Sequence, residues 1–273
     1  MSSILISSRS FTPGPEIAKA VATALELELM GESLYREAAD RFSVPDRQLR
    51  RALQDRPSLW GLSSSHRRRL ATCVRAMLSS RLAQGDAVYH GPFAGLLLRG
   101  VSHLLKVRIT SSPAARAQEA GRQGLSSADA MRRVESSDRD QNDVARDLFG
   151  LDDLDTDYDL AIDLTEVEPD AAVAAIVECA QSAAFLPTTF SRRLLQDYAV
   201  ADELGARLGC ELNVDAEVRV HKGTAKIRAE APERKRAKIQ SQAESCAATL
   251  GGIQVVDVEV VESWLHPLPA HLR

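Results

Sequence analysis

The alternation of short apolar runs with helical segments over the first 185 residues constrains this chain most strongly. The apolar runs at 4–6, 87–90, 103–109 and 158–164 are typical of short buried strands. Strands that alternate with helices predict a parallel sheet with helices on both faces. The expected fold class is therefore α/β.

The segments between these strands carry helical signals. A helix is predicted from Glu16, since Pro15 occupies a favoured first helical position and apolar residues follow at helical spacing. Further helices are predicted across 31–85, 113–149 and 170–184. Within 31–85, the basic stretch Arg67–Arg69 follows His66 and predicts a solvated helix face.

The pattern changes near residues 187–191, which we interpret as a linker between a domain at 1–186 and a smaller domain at 192–262. The second domain is predicted to contain a helix, two alternating strands joined by a Lys222-Gly223 turn, a helix ending at Gly251-Gly252, and a last strand. This is an α-β-β-α-β order. The tail 263–273 is expected to be loose.

Composition narrows the class of protein. A formal net charge of −4 and an aromatic content of 4% argue against nucleic acid as a partner. No apolar run approaches the roughly 20 residues that span a bilayer, and the first residues do not resemble a signal peptide, so a cytoplasmic location is expected. The four scattered cysteines predict reduced thiols, and no metal-ligand spacing is present.

The loop between the first strand and the first helix, residues 8–16, is where an α/β domain binds phosphate, because exposed amides and the helix dipole favour an anion there. Here the loop contains one glycine, two prolines and no lysine, and the nearest lysine, Lys19, lies a turn into the helix. Each proline removes an amide donor. Taken alone, the loop favours an ordinary strand-to-helix turn over a phosphate site.

The loop nevertheless resembles the opening of the cytidylate kinase-like family of P-loop proteins, which often reads S-R-E-[FY]-G-S-G-G-R-E-I-A. This chain keeps Ser8, Arg9, Phe11, Gly14 and 16–18 in a loop one residue shorter. The resemblance implies a P-loop kinase-like fold, and ATP with Mg²⁺ if the protein is active. It also implies a nucleotide-binding role for Ser8, Arg9, Thr12 and Gly14. The departures fall on the glycines and on the basic residue beside the phosphates.

A second match to this family lies at 139–146, which has the spacing R-D-x-x-D-x-x-R. On a helix, Arg139, Asp143 and Arg146 share one face, where two guanidinium groups can clamp a phosphate. The resemblance assigns these three residues to the nucleoside monophosphate. A solvated helix face with ion pairs is the alternative.

Weaker matches complete the pattern over residues 3–185. The family's lid implies a catalytic role for Arg116 and Arg122, which would neutralise charge on the transferring phosphoryl group. Residues 158–163 resemble a family strand. At Gly91-Pro92, related proteins carry a glycine followed by arginine, and only the glycine is kept.

Residues 192–262 resemble a BON domain, a small α-β-β-α-β module of several bacterial envelope and regulatory proteins. The resemblance implies binding to a membrane, a ligand or a partner protein and no catalysis. Lys235, Arg236 and Lys238 form a basic patch suited to anionic lipid head groups. A solvated helix face also explains the patch, and on the sequence alone it is the favoured interpretation.

These observations support three hypotheses. The first is a nucleotide-binding or regulatory protein whose phosphotransfer is weakened or lost, because the loop lacks its basic residue and most of its glycines. The second is an active ATP-dependent kinase of a nucleoside monophosphate or similar small acceptor. The third is a scaffold that binds lipid or a partner protein through the BON-like domain.

Overall fold

The computed structural model describes residues 2–56, 62–154 and 156–261, and the tail 263–273 lies outside this range. A five-stranded parallel sheet has the order β2-β3-β1-β4-β5. Its strands are β1 (Ser3–Ser8), β2 (Glu28–Met30), β3 (Ala87–His90), β4 (Leu104–Thr110) and β5 (Leu160–Asp163). This confirms the predicted α/β class.

Helices cover both faces of this sheet, as predicted. The helices are α1 (Gly14–Ala24), α2 (Glu32–Phe42), α3 (Asp46–Gln54), α4 (Ser64–Gln84), α5 (Ala94–Leu97), α6 (Pro113–Arg122), α7 (Ser127–Phe149) and α8 (Pro169–Gln181). One core packs α1 and α8 against the sheet, and the other packs α2 to α5 and α7 against the opposite face.

The central position of β1 follows from its sequence. Ile4, Leu5 and Ile6 are all fully buried, with Leu5 in one core and Ile4 and Ile6 in the other. A strand that is apolar on both faces is stable only where helices cover both sides of the sheet. β1 thereby fixes where the loop that follows it leaves the sheet.

Several elements differ from the sequence prediction, and three of the differences have a clear physical reason. The strand β2 was not expected, because it is three residues long and two of them are exposed, so it shows no alternation. The helix predicted over 113–149 is two helices, since the chain turns at Gly124 (φ 101°) and Ser126 caps α7 by accepting a hydrogen bond from the Asp129 amide. The first helix begins at Gly14, two residues before Glu16.

The solvated face predicted for Arg67–Arg69 is wrong for Arg67, whose side chain is 1% exposed. Its guanidinium Nη1 donates to the carbonyls of Ala52 (2.8 Å) and Asp55 (2.7 Å) at the end of α3. Its Nε lies 3.1 Å from Asp147 Oδ2 on α7. Arg67 therefore joins α3, α4 and α7 from inside the protein, which charge patterning alone does not reveal.

The second sheet has the order β6-β7-β8 and the predicted α-β-β-α-β succession. Lys222 and Gly223 both adopt positive φ (48° and 78°), as a two-residue hairpin turn requires. The elements are α9 (Thr189–Leu212), β6 (Asp215–His221), β7 (Thr224–Glu230), α10 (Arg236–Leu250) and β8 (Val255–Val261). The BON-like identity and the linker at 187–191 stay predictions.

Helix α9 belongs to two cores. Leu195 and Ala206 pack with α4 in a core of the first sheet, and Leu204 and Leu208 pack against the second sheet. Across the described residues, no helix combines the length and apolar character needed to cross a membrane.

Candidate functional site

The first loop begins where β1 ends, at the carboxyl edge of the parallel sheet. Ser8, His90, Thr110 and Asp163 are the last residues of four neighbouring strands and share this edge. Ligands of open α/β sheets bind in the crevice outside these strand ends. The fold therefore places residues 9–13 at the expected binding position.

The loop is held by its own backbone and by the neighbouring strand. The Arg9 amide donates to the Ile109 carbonyl (3.0 Å), and Thr12 Oγ1 donates to the Arg9 carbonyl (2.7 Å). Phe11 adopts a positive φ of 61°, which turns the chain back toward α1. Thr12 thus serves the conformation of the loop in this structure.

The amino end of α1 offers few donors to an anion. Pro13 caps the helix and Pro15 lies in its first turn, so between them only the Gly14 amide carries a hydrogen. The first helical hydrogen bond runs from the Ile17 amide to the Pro13 carbonyl (3.0 Å), and the Glu16 carboxylate adds negative charge beside it. These residues do not fit the triphosphate of ATP in the manner of a P-loop, which needs several amides and a basic side chain.

Gly14 lies against the sheet with no space for a side chain. A Cβ at this position would lie 2.5 Å from Ser8 Cβ and 3.0 Å from His90 Nε2. Ser8 Oγ is itself 3.0 Å from His90 Nε2, and burial lowers the pKa of His90. Ser8, Gly14 and His90 therefore form a packed contact under the loop.

Substitution of this glycine tests the contact. We expect Gly14→Ala to lower the free energy of unfolding by about 1–3 kcal/mol, because the added methyl overpacks a filled space. Gly85→Ala is the matched control, since a Cβ there meets nothing within 4 Å. Urea unfolding of both variants measures the difference, and equal stabilities would contradict the packed contact.

Two arginines meet one carboxylate between the loop and α7. Arg116 is buried, and its two terminal nitrogens donate to Asp138 at 2.8 and 2.6 Å, while its Nε donates to the Ser111 carbonyl at 3.1 Å. Arg9 Nη1 lies 3.6 Å from Asp138 Oδ1 and 3.4 Å from Asn142 Oδ1. We call Arg9, Arg116, Asp138 and Asn142 the loop–lid cluster.

The same face of α7 also contacts the tip of the loop. Ser10 Oγ lies 2.6 Å from Ser137 Oγ and accepts a hydrogen bond from Gln141 Nε2 at 3.3 Å. Residues 137, 138, 141 and 142 thus cover the loop, and the sequence analysis did not single them out. Their position could have been noticed in the sequence, because these polar residues lie on α7 between two apolar residues, Val134 and Ala145, which are buried.

The predicted monophosphate residues lie elsewhere on α7. Arg139 is exposed and, within the part of the chain described, makes no ion pair. Asp143 lies 3.5 Å from Arg146 Nη1 and 3.7 Å from Arg56 Nε, and Arg146 Nε donates to Asp152 at 2.9 Å. We call Arg56, Arg139, Asp143 and Arg146 the α7 arginine cluster.

The two lid arginines are placed differently. Arg116 is fixed in the loop–lid cluster, whereas Arg122 lies 75% exposed in the last turn of α6 and pairs with Glu119 (3.0 Å). Their catalytic role stays a prediction. At Gly91, the glycine shared with the family pattern, a Cβ would lie 2.7 Å from Tyr89 Cζ, so any side chain there would clash with the Tyr89 ring.

No group of three or more His, Cys, Asp or Glu side chains that could hold a metal ion occurs within 2–56, 62–154 and 156–261. Because Mg²⁺ is commonly held by substrate phosphates with one or two carboxylates, its arrival with a nucleotide stays a prediction.

The family match to known proteins falls on the residues that form the first sheet. The model of the cytidylate kinase-like family matches residues 3–166. The crystal structure of an uncharacterized protein from Eubacterium ventriosum ATCC 27560 is 17% identical, with a TM-score of 0.50 over 66% of this chain and 98% of that chain. Shikimate kinase from Bacteroides thetaiotaomicron is 12% identical, with a TM-score of 0.41 over 66% and 99%. No curated protein shows significant similarity. The Eubacterium structure supports the fold alone.

Proposed function

The chain belongs to the cytidylate kinase-like family, and from this premise we propose that it binds a nucleotide while its phosphotransfer is weakened or lost. Family membership and the kinase-like sheet support nucleotide binding at the carboxyl edge. The chemistry of the first loop argues against efficient transfer.

The proposal rests mainly on the shortage of phosphate-binding groups at the amino end of α1. Phosphoryl transfer depends almost entirely on positioning and on charge stabilisation by amides, cations and basic side chains. Pro13 and Pro15 leave the Gly14 amide isolated, and Lys19 is exposed a turn further along the helix. Arg9, in the loop itself, and Arg116 of α6 are both in contact with Asp138. A γ-phosphate therefore lacks the donors that stabilise its transition state.

Binding of a nucleoside monophosphate is better supported than phosphoryl transfer. In the α7 arginine cluster, Asp143 lies between Arg56 and Arg146, and Arg139 is exposed one turn before it. Guanidinium groups bind phosphate oxygens through paired hydrogen bonds, and a carboxylate between two of them holds their orientation. Arg56 and Arg146 are each paired with a carboxylate, so Arg139 is the member of the cluster that, among the described residues, has its charge available for a phosphate.

Arg139 provides the most selective test of this cluster. We expect Arg139→Ala to weaken CMP binding by about tenfold, the loss of one charged hydrogen bond. Stability should change by less than about 0.5 kcal/mol, because the side chain is exposed. Arg133→Ala, also exposed on α7, is the matched control and should bind CMP like the wild type. Calorimetric titration and urea unfolding measure the two quantities, and a large stability loss with intact binding would contradict the assignment.

The alternative is an active kinase of a nucleoside monophosphate, which the family membership supports equally. A coupled assay with ATP–Mg and CMP or UMP distinguishes the two. Turnover at the 1–100 per second or so that is typical of kinases would favour the alternative. Turnover near background, together with measurable nucleotide binding, would favour the proposal.

The BON-like scaffold is a third possibility that the structure supports less well. Within the proposed lipid patch, Arg236 is paired with Glu233 through two hydrogen bonds, so that part of its charge is already neutralised. Lys235 and Lys238 are exposed. Binding to anionic vesicles that is lost on substitution of these two lysines would support the scaffold.

A further inference from the structure

Two of the four cysteines meet between α4 and α9. Cys73 Sγ lies 3.5 Å from Cys210 Sγ, although 137 residues separate them in the chain. A disulfide needs the two sulfurs about 2.05 Å apart. Disulfide formation therefore requires the two sulfurs to approach each other further, and their adjacency allows them to be oxidised together.

Close packing of the two helices brings the sulfurs together. Gly205 and Gly209 lie one turn apart on α9, and a Cβ at these positions would contact Thr72 (3.4 Å) and Arg69 (3.3 Å) of α4. A methyl group would therefore just touch α4 at Gly205 and press on the Arg69 side chain at Gly209, so a larger side chain at either position would separate the helices. Arg75 of α4 donates to Asp202 of α9 at 2.7 Å and holds the same interface.

The two thiols have different environments. Both cysteines line a cavity of about 540 Å³ together with Arg41, His66, Arg69 and Arg207, but Cys210 is exposed whereas Cys73 is buried. The hydrogen bond with the Cys73 thiol lowers the pKa of Cys210, and the positive charge of Arg69 adds to this against the effect of burial. The same hydrogen bond, with burial, raises the pKa of Cys73. Thiolates beside cations are the reactive form of cysteine.

We propose that Cys210 and Cys73 form a thiol–disulfide site that reacts with a hydroperoxide. The Cys210 thiolate attacks the hydroperoxide, an S–O bond forms, the O–O bond breaks, and hydroxide or alkoxide leaves and takes a proton from solvent. The Cys73 sulfur then attacks the Cys210 sulfur, an S–S bond forms, the S–O bond breaks, and hydroxide leaves with the Cys73 thiol proton as water. Two thiols are oxidised by two electrons, and the peroxide is reduced by the same two.

The remaining cysteines are internal controls for this chemistry. Cys179 and Cys246 have pKa values raised mainly by burial, and in the described residues neither sulfur has a second thiol beside it. Disulfides in reducing compartments are usually transient and redox-sensing, so a pair of this kind agrees with reduced thiols as the resting state.

To test this proposal, the full wild-type chain is treated with hydrogen peroxide, and its peptides are then mapped by mass spectrometry under non-reducing conditions. We expect one intramolecular Cys73–Cys210 disulfide, with Cys210 lost at least about tenfold faster than Cys179 or Cys246. Cys73→Ser should stop at a Cys210 sulfenic acid that dimedone labels, and Cys210→Ser should leave Cys73 reduced.

Cys179→Ser/Cys246→Ser should retain the full reaction and is the matched control. A thiol reductant should restore both thiols of the wild type. The proposal is overturned if the wild type keeps a free Cys73 after Cys210 is oxidised, if it forms only disulfides between chains, or if Cys179 or Cys246 reacts first. These readings come from the wild type and stand even if a variant folds poorly.

Discussion

Replacement of Arg67 by methionine should lower the free energy of unfolding by about 3–5 kcal/mol, the cost of removing one partner of a buried charged network. Methionine keeps the length of the side chain but none of its donors. The Ala52 and Asp55 carbonyls at the end of α3 then lose their hydrogen bonds, and the half-buried Asp147 carboxylate loses its ion-pair partner. Unsatisfied buried acceptors cost more than the hydrogen bonds themselves contribute.

Arg51→Met is the control for this variant. Arg51 forms an exposed ion pair with Asp55 within α3, with side chains 43% and 52% exposed. Such pairs contribute about 0.5 kcal/mol or less, so the control should be close to the wild type. Urea unfolding followed by circular dichroism gives both values. Equal losses in the two variants would show that Arg67 does not hold α3, α4 and α7 together.

Restoring donors to the first loop should have the largest effect on activity. In Pro13→Gly/Pro15→Arg, position 13 regains an amide hydrogen, and a guanidinium stands directly before 16–18, where the family pattern has its basic residue. A single donor aimed at the charge of a transition state is worth about 10²–10³ in rate. We therefore expect phosphotransfer from ATP–Mg to CMP to rise by about 100-fold or more, with tighter ATP binding.

Pro169→Gly is the matched control, because Pro169 occupies the first turn of a different helix, α8. It should alter stability slightly and leave transfer at the wild-type rate. If the double variant folds and neither binds ATP more tightly nor transfers phosphate faster, the loop chemistry is not what limits this protein.

The sequence predicted the α/β class and most of the elements, because the spacing of apolar residues along the chain follows which side chains are buried. The apolar run Ile4–Ile6 predicted a buried strand, and the Lys222-Gly223 turn between alternating residues predicted a hairpin; both are present. The short edge strand β2 escaped prediction because three residues with one buried side chain carry no periodic signal.

The site was less predictable because its contacts join distant segments. The pairing of Arg116 with Asp138 and the contact of Ser10 with Ser137 depend on how α6 and α7 return to the loop. The motif spacing at 139–146 identifies residues that share a helix face, and spacing alone does not say what that face meets. Arg67 illustrates the same limit, since a basic run gives no sign that one member is buried.

The most direct test of the account is one titration series with CMP, UMP and ATP–Mg, measured by calorimetry, beside a phosphotransfer assay on the same preparation. The account predicts that a nucleoside monophosphate binds with a Kd below about 1 mM while transfer stays at background. Transfer at rates typical of kinases, or the absence of any binding at millimolar nucleotide, would contradict it.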